Sequence, residues 1–503
     1  MSTKKTRLSA FLLALLLVIT ALFTIACDNE QQGGDETTTN SSSDSEPGMD
    51  SDSSESVGGS SIPDDLRFDG REFSIYCTDL DHKLPTPEDD LGKDAVSEAI
   101  WKRNMATEER LGITLNYFLD VNANVSNITL ILTDYLLAGD QTYDLYVGCQ
   151  YGMANLATSG GFYNAYDLEY IDFDNPWWNN RMMEEMSIGT DTRFFLVGDY
   201  FISSLERTHT VFFNKNLYKD INSDSPNQLY DWVKDGTWTL EKYAAAAKSA
   251  YKDLNNNGVT DASDQLGWIG FLSASTVDPF MYCSNIEFSK HDENGLVTIN
   301  MLSEKANNLN EAIVNLFYQD GSAFLVEANV PNDTFLDDRA LFLGGCTLNT
   351  AEYLRDKSGV GILPYPKYEE TQERYNSLVA DVATMGAVSS WSLNHDIAGA
   401  VLEVLSEESY KSVMPAYYET SLKIKYVEGD DEAEMIDYLR DSCYTDFVYM
   451  YSPVLSGIGV AMRSTVTSNS TGYISTTTPM QDSALIQLQD LIDLYLNITS
   501  DGE

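Results

Sequence analysis

Positive charge is scarce in this chain: 31 Lys and Arg stand against 78 Asp and Glu, a formal charge of -47 over 503 residues. Such a balance repels phosphate backbones and anionic headgroups, so nucleic acid is excluded as a partner class. Histidine is scarcer still, and the four present, His82, His209, His291 and His395, lie far apart. No H-E-x-x-H, G-x-S-x-G or P-loop pattern occurs, which removes the commonest sequence marks of metalloprotease, serine hydrolase and nucleotide chemistry. The six cysteines include no C-x-x-C and no Cys/His metal spacing. After Cys27 the remaining five, at 77, 149, 283, 346 and 443, are an odd set and read as small buried hydrophobes. No internal repeat is found.

What the chain does have is apolar and aromatic material. Hydrophobic residues make up 43% and aromatics 11%, with 30 Tyr and 7 Trp, so this is no disordered polyanion. A length of 503 residues exceeds one ordinary core and predicts two lobes. The one long apolar run lies at the start, where Lys4, Lys5 and Arg7 precede "LSAFLLALLLVITALFTIA" and Cys27 follows. This resembles a bacterial lipoprotein signal peptide, which implies cleavage after residue 26 and lipidation of Cys27. Ile25 and Ala26 suit that pattern, and Thr24 stands where Leu is usual. An uncleaved membrane anchor is the alternative, and both tether an exported chain. Residues 27–65 then form a Ser/Thr-rich acidic linker, with no aromatic residue between Asp28 and Pro63 and a reach of roughly 30 to 35 Å.

The stretch "DLNNNGVTDASD" sets Asp253, Asn255, Asn257, Val259, Asp261 and Asp264 at positions 1, 3, 5, 7, 9 and 12 of a loop. Gly258 falls at position 6, where an EF-hand turns sharply and oxygens converge on a hard cation. A structural Ca2+ is the expectation, and a polar turn ending a helix is the plain alternative. Asp264 in place of Glu at position 12 bears on bidentate coordination. A helix N-capped by Thr239 should precede the loop and a strand, "LGWIGFL", should follow it.

From residue 71 the chain alternates. Segments 71–77, 113–119 and 143–149 read as strands, and 94–112 and 125–139 as helices, a β-α-β-α-β order that builds a parallel sheet. "THTVFFNKNLYK" reads as a strand running into a turn, 359–377 and 382–392 as extended, and a helix follows from about Asp396 to Leu405.

The ordered series "YDLYVGCQYGMANLATSGGFYNAYDL", "NPWWN", "HTVFFNKNLYK", "GTWTLEKYAAAAK", "RALF" and "GILPYPKYEETQERY" resembles the extracellular solute-binding lipoproteins of ABC importers that take up sugars and oligosaccharides. The resemblance implies an α/β fold of two periplasmic-binding-protein-like lobes with a ligand cleft between them. Lobe one would take 66–208 and 370–408, and lobe two 209–369 and 409–503. It also implies an ABC permease as partner and a non-catalytic role.

A sugar needs apolar faces for its C-H groups and short polar side chains for its hydroxyls. Trp177, Trp178, Asp199, Tyr200, Trp391, Tyr417, Tyr418 and Glu419 supply both kinds, and Arg339 could pin a ligand or pair with Asp337 or Asp338. Tyr151 follows a buried strand, at the end where open α/β sheets bind ligands. A glycan-active enzyme, which could hide a carboxylate pair among so many acids, and a calcium-dependent adhesion module are the other readings.

Overall fold

The computed structural model describes residues 62–78, 84–85, 94–223, 225, 227–326, 331–354, 356–418 and 430–500. The signal segment 1–26, Cys27, the linker to residue 61 and Glu419 lie outside them. In chain order the strands are β1 (Arg71–Thr78), β2 (Ile113–Asp120), β3 (Leu145–Cys149), β4 (His209–Asn214), β5 (Leu266–Phe271), β6 (Ser289–His291), β7 (Val297–Ile299), β8 (Ala323–Val326), β9 (Ala340–Thr347), β10 (Val360–Leu363), β11 (Ser377–Leu378), β12 (Thr384–Val388) and β13 (Cys443–Tyr444).

Two main sheets result. The first has the order β12-β3-β1-β2 and the second β10-β4-β9-β5-β8. In the first, β1 runs parallel to β2 and to β3, as the β-α-β-α-β order requires. The expected parallel sheet is nevertheless mixed, because β12 returns from much later in the chain and pairs antiparallel with β3, Thr384 opposite Cys149 and Val388 opposite Leu145. All five residues of β3 are buried, the mark of a central strand covered on both faces, whereas β2 alternates as an edge strand does. The architecture is two-lobed α/β.

Local chemistry explains the elements. Asp94 caps the helix Ala95–Leu111, its carboxylate accepting from Ser97 N at 2.9 Å. Thr239 caps Leu240–Ala250 as anticipated. That alanine-rich helix lies so close to β5 that a Cβ on Gly267 would sit 2.0 Å from the Ala247 carbonyl oxygen. The turn expected after β4 is instead a helix, Lys215–Ile221, because Asn214 accepts from Leu217 N at 2.9 Å and starts a new turn. The five described cysteines are buried, as expected of small hydrophobes.

The helix beginning at His395 runs past its expected end, through Glu408 and a π-helical turn, Ser409–Val413. It packs along Ala95–Leu111, with Arg110 Nη1 2.6 Å from Glu407 Oε2 and Arg103 Nη1 3.4 Å from Ser409 Oγ. Residues 409–416 pack on that same helix, beside the first sheet.

Three chain segments connect the sheets side by side. Thr208 bridges Val379, Ala380 N donates to Arg207 O at 3.0 Å, and β11 pairs in parallel with β13. Val379 N donates to Tyr444 O and Ser377 N to Ser442 O, each at 2.8 Å. Thr208 Oγ1 and Cys443 Sγ meet at 3.2 Å across the same junction. No helix among the described residues is long and apolar enough to cross a membrane.

Candidate functional site between the two sheets

The carboxyl end of β3 opens toward the crossing segments. Gln150 N donates to Ala383 O at 2.9 Å and Tyr151 N to Asp381 O at 3.0 Å, so the start of the helix Gln150–Ala154 is tied to the second crossing. Tyr151 keeps 41% of its surface exposed, which leaves its ring available as a face. Asp381 N in turn donates to the Tyr449 hydroxyl at 3.3 Å.

On the side of the second sheet, Asp278 lies in the helix Ala274–Tyr282 that follows β5, and Arg463 comes from the helix Ala461–Thr467. Arg463 grips Asp278 through two nitrogens, Nε to Oδ1 at 3.0 Å and Nη2 to Oδ2. Burial pushes the Asp278 carboxyl up to about 6 against the pull of Arg463, and it also raises Asp381. His209, at the start of β4, is buried and held down to about 4, hence neutral, with Nδ1 3.3 Å from the Cys346 carbonyl oxygen. The Arg463 side chain remains 27% exposed, and its Nη1 has no described hydrogen-bond partner. An exposed tyrosine face, a guanidinium donor and carboxylate acceptors thus meet where the halves join, a set suited to a polyhydroxylated ligand.

Most residues singled out from sequence lie elsewhere. Trp177 and Trp178 are 1% and 6% exposed, and both indole N-H groups donate to the buried Glu403 carboxylate, at 3.2 and 2.9 Å. They do border a cavity of about 510 Å³ with Asp199, Tyr410 and Arg440, but neither offers a free stacking face. Asp199 is 3.9 Å from Arg440, and burial pushes its carboxyl up to about 7. Tyr200 is fully buried, hydroxyl to hydroxyl with Tyr117 at 3.2 Å and beneath the Arg103 guanidinium. Tyr417 and Tyr418 are buried, the latter under Arg440.

Trp391 is half exposed but follows β12, whose antiparallel course delivers it to the end of the sheet opposite Tyr151. Its indole N-H donates to Leu136 O at 3.1 Å. Arg339 donates to the Ala262 carbonyl and lies 3.4 Å from Asp337, which makes it a brace of the acidic loop instead of a ligand clamp. Sequence reasoning missed Asp278, Asp381, Tyr449 and Arg463. One signal was available: Arg463 is the only Lys or Arg after Arg440, in a stretch where a lone cation needs an acidic partner.

The loop 253–264 turns through Gly258 at φ 75. Asp253 accepts from Asn256 N at 2.6 Å and Gly258 N at 2.9 Å, and buried Asp264 from Leu254 N at 3.0 Å and Asp261 N at 3.1 Å. Asn255 and Asn257 direct their amide N-H groups onto Asp261 Oδ2, at 3.2 and 2.9 Å, and Val259 N donates to Asn257 Oδ1 at 2.7 Å. Among the described residues no group of three or more His, Cys, Asp or Glu is arranged to hold a metal ion. The donor set itself, three carboxylates, two amides and the Val259 carbonyl, is the chemistry a hard cation takes.

No protein family and no curated protein matches the chain by sequence. Solved structures do match. The galacto-N-biose/lacto-N-biose I-binding protein of the Bifidobacterium longum ABC transporter, in complex with lacto-N-biose, aligns over 84% of this chain and 98% of its own, at 11% identity and a TM-score of 0.54. UgpB of Mycobacterium tuberculosis, in complex with glycerophosphocholine, covers 84% of this chain and 99% of its own, at 12% identity and the same TM-score of 0.54. The ABC substrate-binding protein Lmo0181 of Listeria monocytogenes, in complex with cycloalternan, covers 83% and 98%, at 14% identity and a TM-score of 0.51. At these identities the likeness is one of fold. The chain has the two-lobe fold of ABC-transporter solute-binding proteins.

Proposed function

We propose that this protein is an extracytoplasmic solute-binding protein that captures a carbohydrate, an oligosaccharide above all, between its two sheets and hands it to an ABC permease without transforming it. The observation that carries this reading is the meeting of Tyr151, Asp381, Tyr449 and the Asp278–Arg463 pair at the carboxyl end of β3, beside the segments that join the halves. The complexes of the fold relatives with lacto-N-biose and cycloalternan support a sugar as ligand.

A solute that touches both halves stabilises the closed arrangement by its differential affinity, and the permease would read that arrangement. Lobe one is proposed as 66–208 and 370–418, and lobe two as 209–369 and 430–503. The run ending at Cys27 would supply a lipid anchor at the cell membrane, and the linker to about residue 65 would let the lobes stand clear of it. The acidic loop is proposed to bind Ca2+ through Asp253, Asn255, Asn257, Val259, Asp261 and Asp264 and to brace the helix Leu240–Ala250 against β5. In that role the cation would take over the acceptor oxygens now shared among the loop's own N-H groups.

Thermal unfolding against mono- and oligosaccharides, with peptides as controls, tests the reading. A ligand at 100 times its Kd adds about 2.7 kcal/mol, a shift of a few degrees, and no shift with any sugar would sink it.

A further inference from the structure

A second cavity, of about 540 Å³, lies between the segment 166–193 and the hairpin β6–β7, with Arg374 and Tyr444 of the crossing region in its wall. None of Tyr151, Asp278, Asp381, Tyr449 or Arg463 lines it. Its wall gathers three arginines, Arg181, Arg193 and Arg374, in a chain with 78 acids and only 31 basic residues. With so many carboxylates available, arginines are expected to be paired, yet none of these three makes an ion pair with a described carboxylate.

Their environments sharpen the point. Arg193 is 1% exposed, stacked against Tyr166 and Phe173 at 4.7 and 4.4 Å, and its Nε and Nη1 have no hydrogen-bond partner. Arg181 lies over the Tyr444 ring at 4.6 Å and donates only to Asn376 Oδ1, at 2.9 Å. Burial and then the nearby Arg374 lower its proton affinity, with Tyr444 and Glu185 opposing. The wall also holds Lys290 and four carboxylates, Glu184, Glu185, Glu287 and Asp292. Glu184 accepts from Asn180, and Asp292 accepts from Asn294 N and Leu296 N in its own turn. Glu185 is pushed up to about 7 by burial and by Asp446, against the pull of Arg181 and Arg374, so it is a weak counter-charge to them.

Buried guanidinium donors with no carboxylate at ion-pair distance, Arg193 Nε and Nη1 above all, leave an anionic acceptor as the missing component. A planar carboxylate matches the guanidinium fork, and aromatic rings lie beside the Arg181 and Arg193 guanidinium groups. From this convergence of Arg181, Arg193 and Arg374 on one cavity we infer that the protein has a second site, distinct from the sugar cleft, for a small carboxylate-bearing solute the size of a sugar acid.

Calorimetric titration of the full chain with glucuronate, glucose and inorganic phosphate tests this. Expected is saturable glucuronate binding that weakens with added salt. Substituting the exposed Arg374→Gln should lower that affinity roughly 10- to 100-fold while leaving the melting temperature unchanged. Arg181→Lys, which keeps the charge and loses the fork, should fall between. Binding of glucose with the same Arg374 dependence, binding of phosphate alone, or no glucuronate binding would each overturn the inference. So would displacement of glucuronate by a neutral sugar that occupies the cleft. Glucuronate binding with no neutral sugar bound anywhere would leave this site standing and remove the carbohydrate reading instead.

Discussion

Arg463 and Asp278 form a two-point ion pair in which the carboxylate is buried and the arginine side chain stays 27% exposed. Removing one partner leaves an uncompensated charge, which costs about 3–5 kcal/mol in buried pairs. Arg463→Gln should therefore lower stability by that order in denaturant unfolding and abolish sugar binding. The double substitution Arg463→Met with Asp278→Leu should recover most of the stability and none of the binding. Recovery of both would show that the pair is a strut and not part of the site.

Tyr151 separates binding from folding more cleanly, because its side chain is 41% exposed. Tyr151→Ala is expected to leave the melting curve within about 0.5 kcal/mol of the parent, as for ordinary surface changes. Loss of one aromatic face should weaken the sugar complex about tenfold. Unchanged affinity in a titration would move the ligand away from the end of β3.

Asp199 predicts a pH dependence. Its carboxyl is raised from 3.8 to about 7, chiefly by burial, with Arg440 opposing at 3.9 Å. The folded form thus favours the protonated acid, so this contribution to stability is full below pH 3.8 and is lost as pH rises through 7. Asp199→Asn, which stays neutral, should match the parent at low pH and exceed it above pH 7 by on the order of a few kcal/mol. Equal unfolding free energies at pH 8 would contradict the assignment.

Chelation addresses the acidic loop. EDTA should lower the melting temperature, Ca2+ should restore it, and Asp253→Ala should remove the response. A melting curve indifferent to both would make the loop a polar turn closed by its own hydrogen bonds, such as Asp253 with Gly258 N.

Glu403 accepts from Trp177, Trp178 and Asn175 side chains and from Asp172 N. Glu403→Ala orphans these donors, and unmade buried hydrogen bonds cost about 1–3 kcal/mol each. Circular dichroism should report a large stability loss, while sugar affinity of the folded fraction stays near that of the parent. A selective loss of affinity would return Trp177 and Trp178 to the binding site.

Much of the fold was legible in the chain because its signals are local. Hydrophobic period, the cap Thr239, and the glycine of the acidic loop act over a few residues, and each marks its own element. The antiparallel place of β12 was not legible, since which sheet edge accepts a strand depends on what the rest of the chain has already covered. Nor was the extension of the helix past Glu408, which follows from packing on Ala95–Leu111.

The site was less legible than the fold. Composition and local pattern determined that this is an acidic, aromatic-rich α/β chain with an Asp/Asn-rich loop turning at Gly258, and pointed to Tyr151 from the strand before it. Only tertiary structure decided which aromatics stay exposed. Trp177, Trp178, Tyr200, Tyr417 and Tyr418 look like Tyr151 in sequence, but an aromatic ring serves a core and a binding face equally well. Long-range pairing decided the rest: Arg463 meets Asp278 across 185 positions of chain, and no local pattern encodes an encounter made by folding.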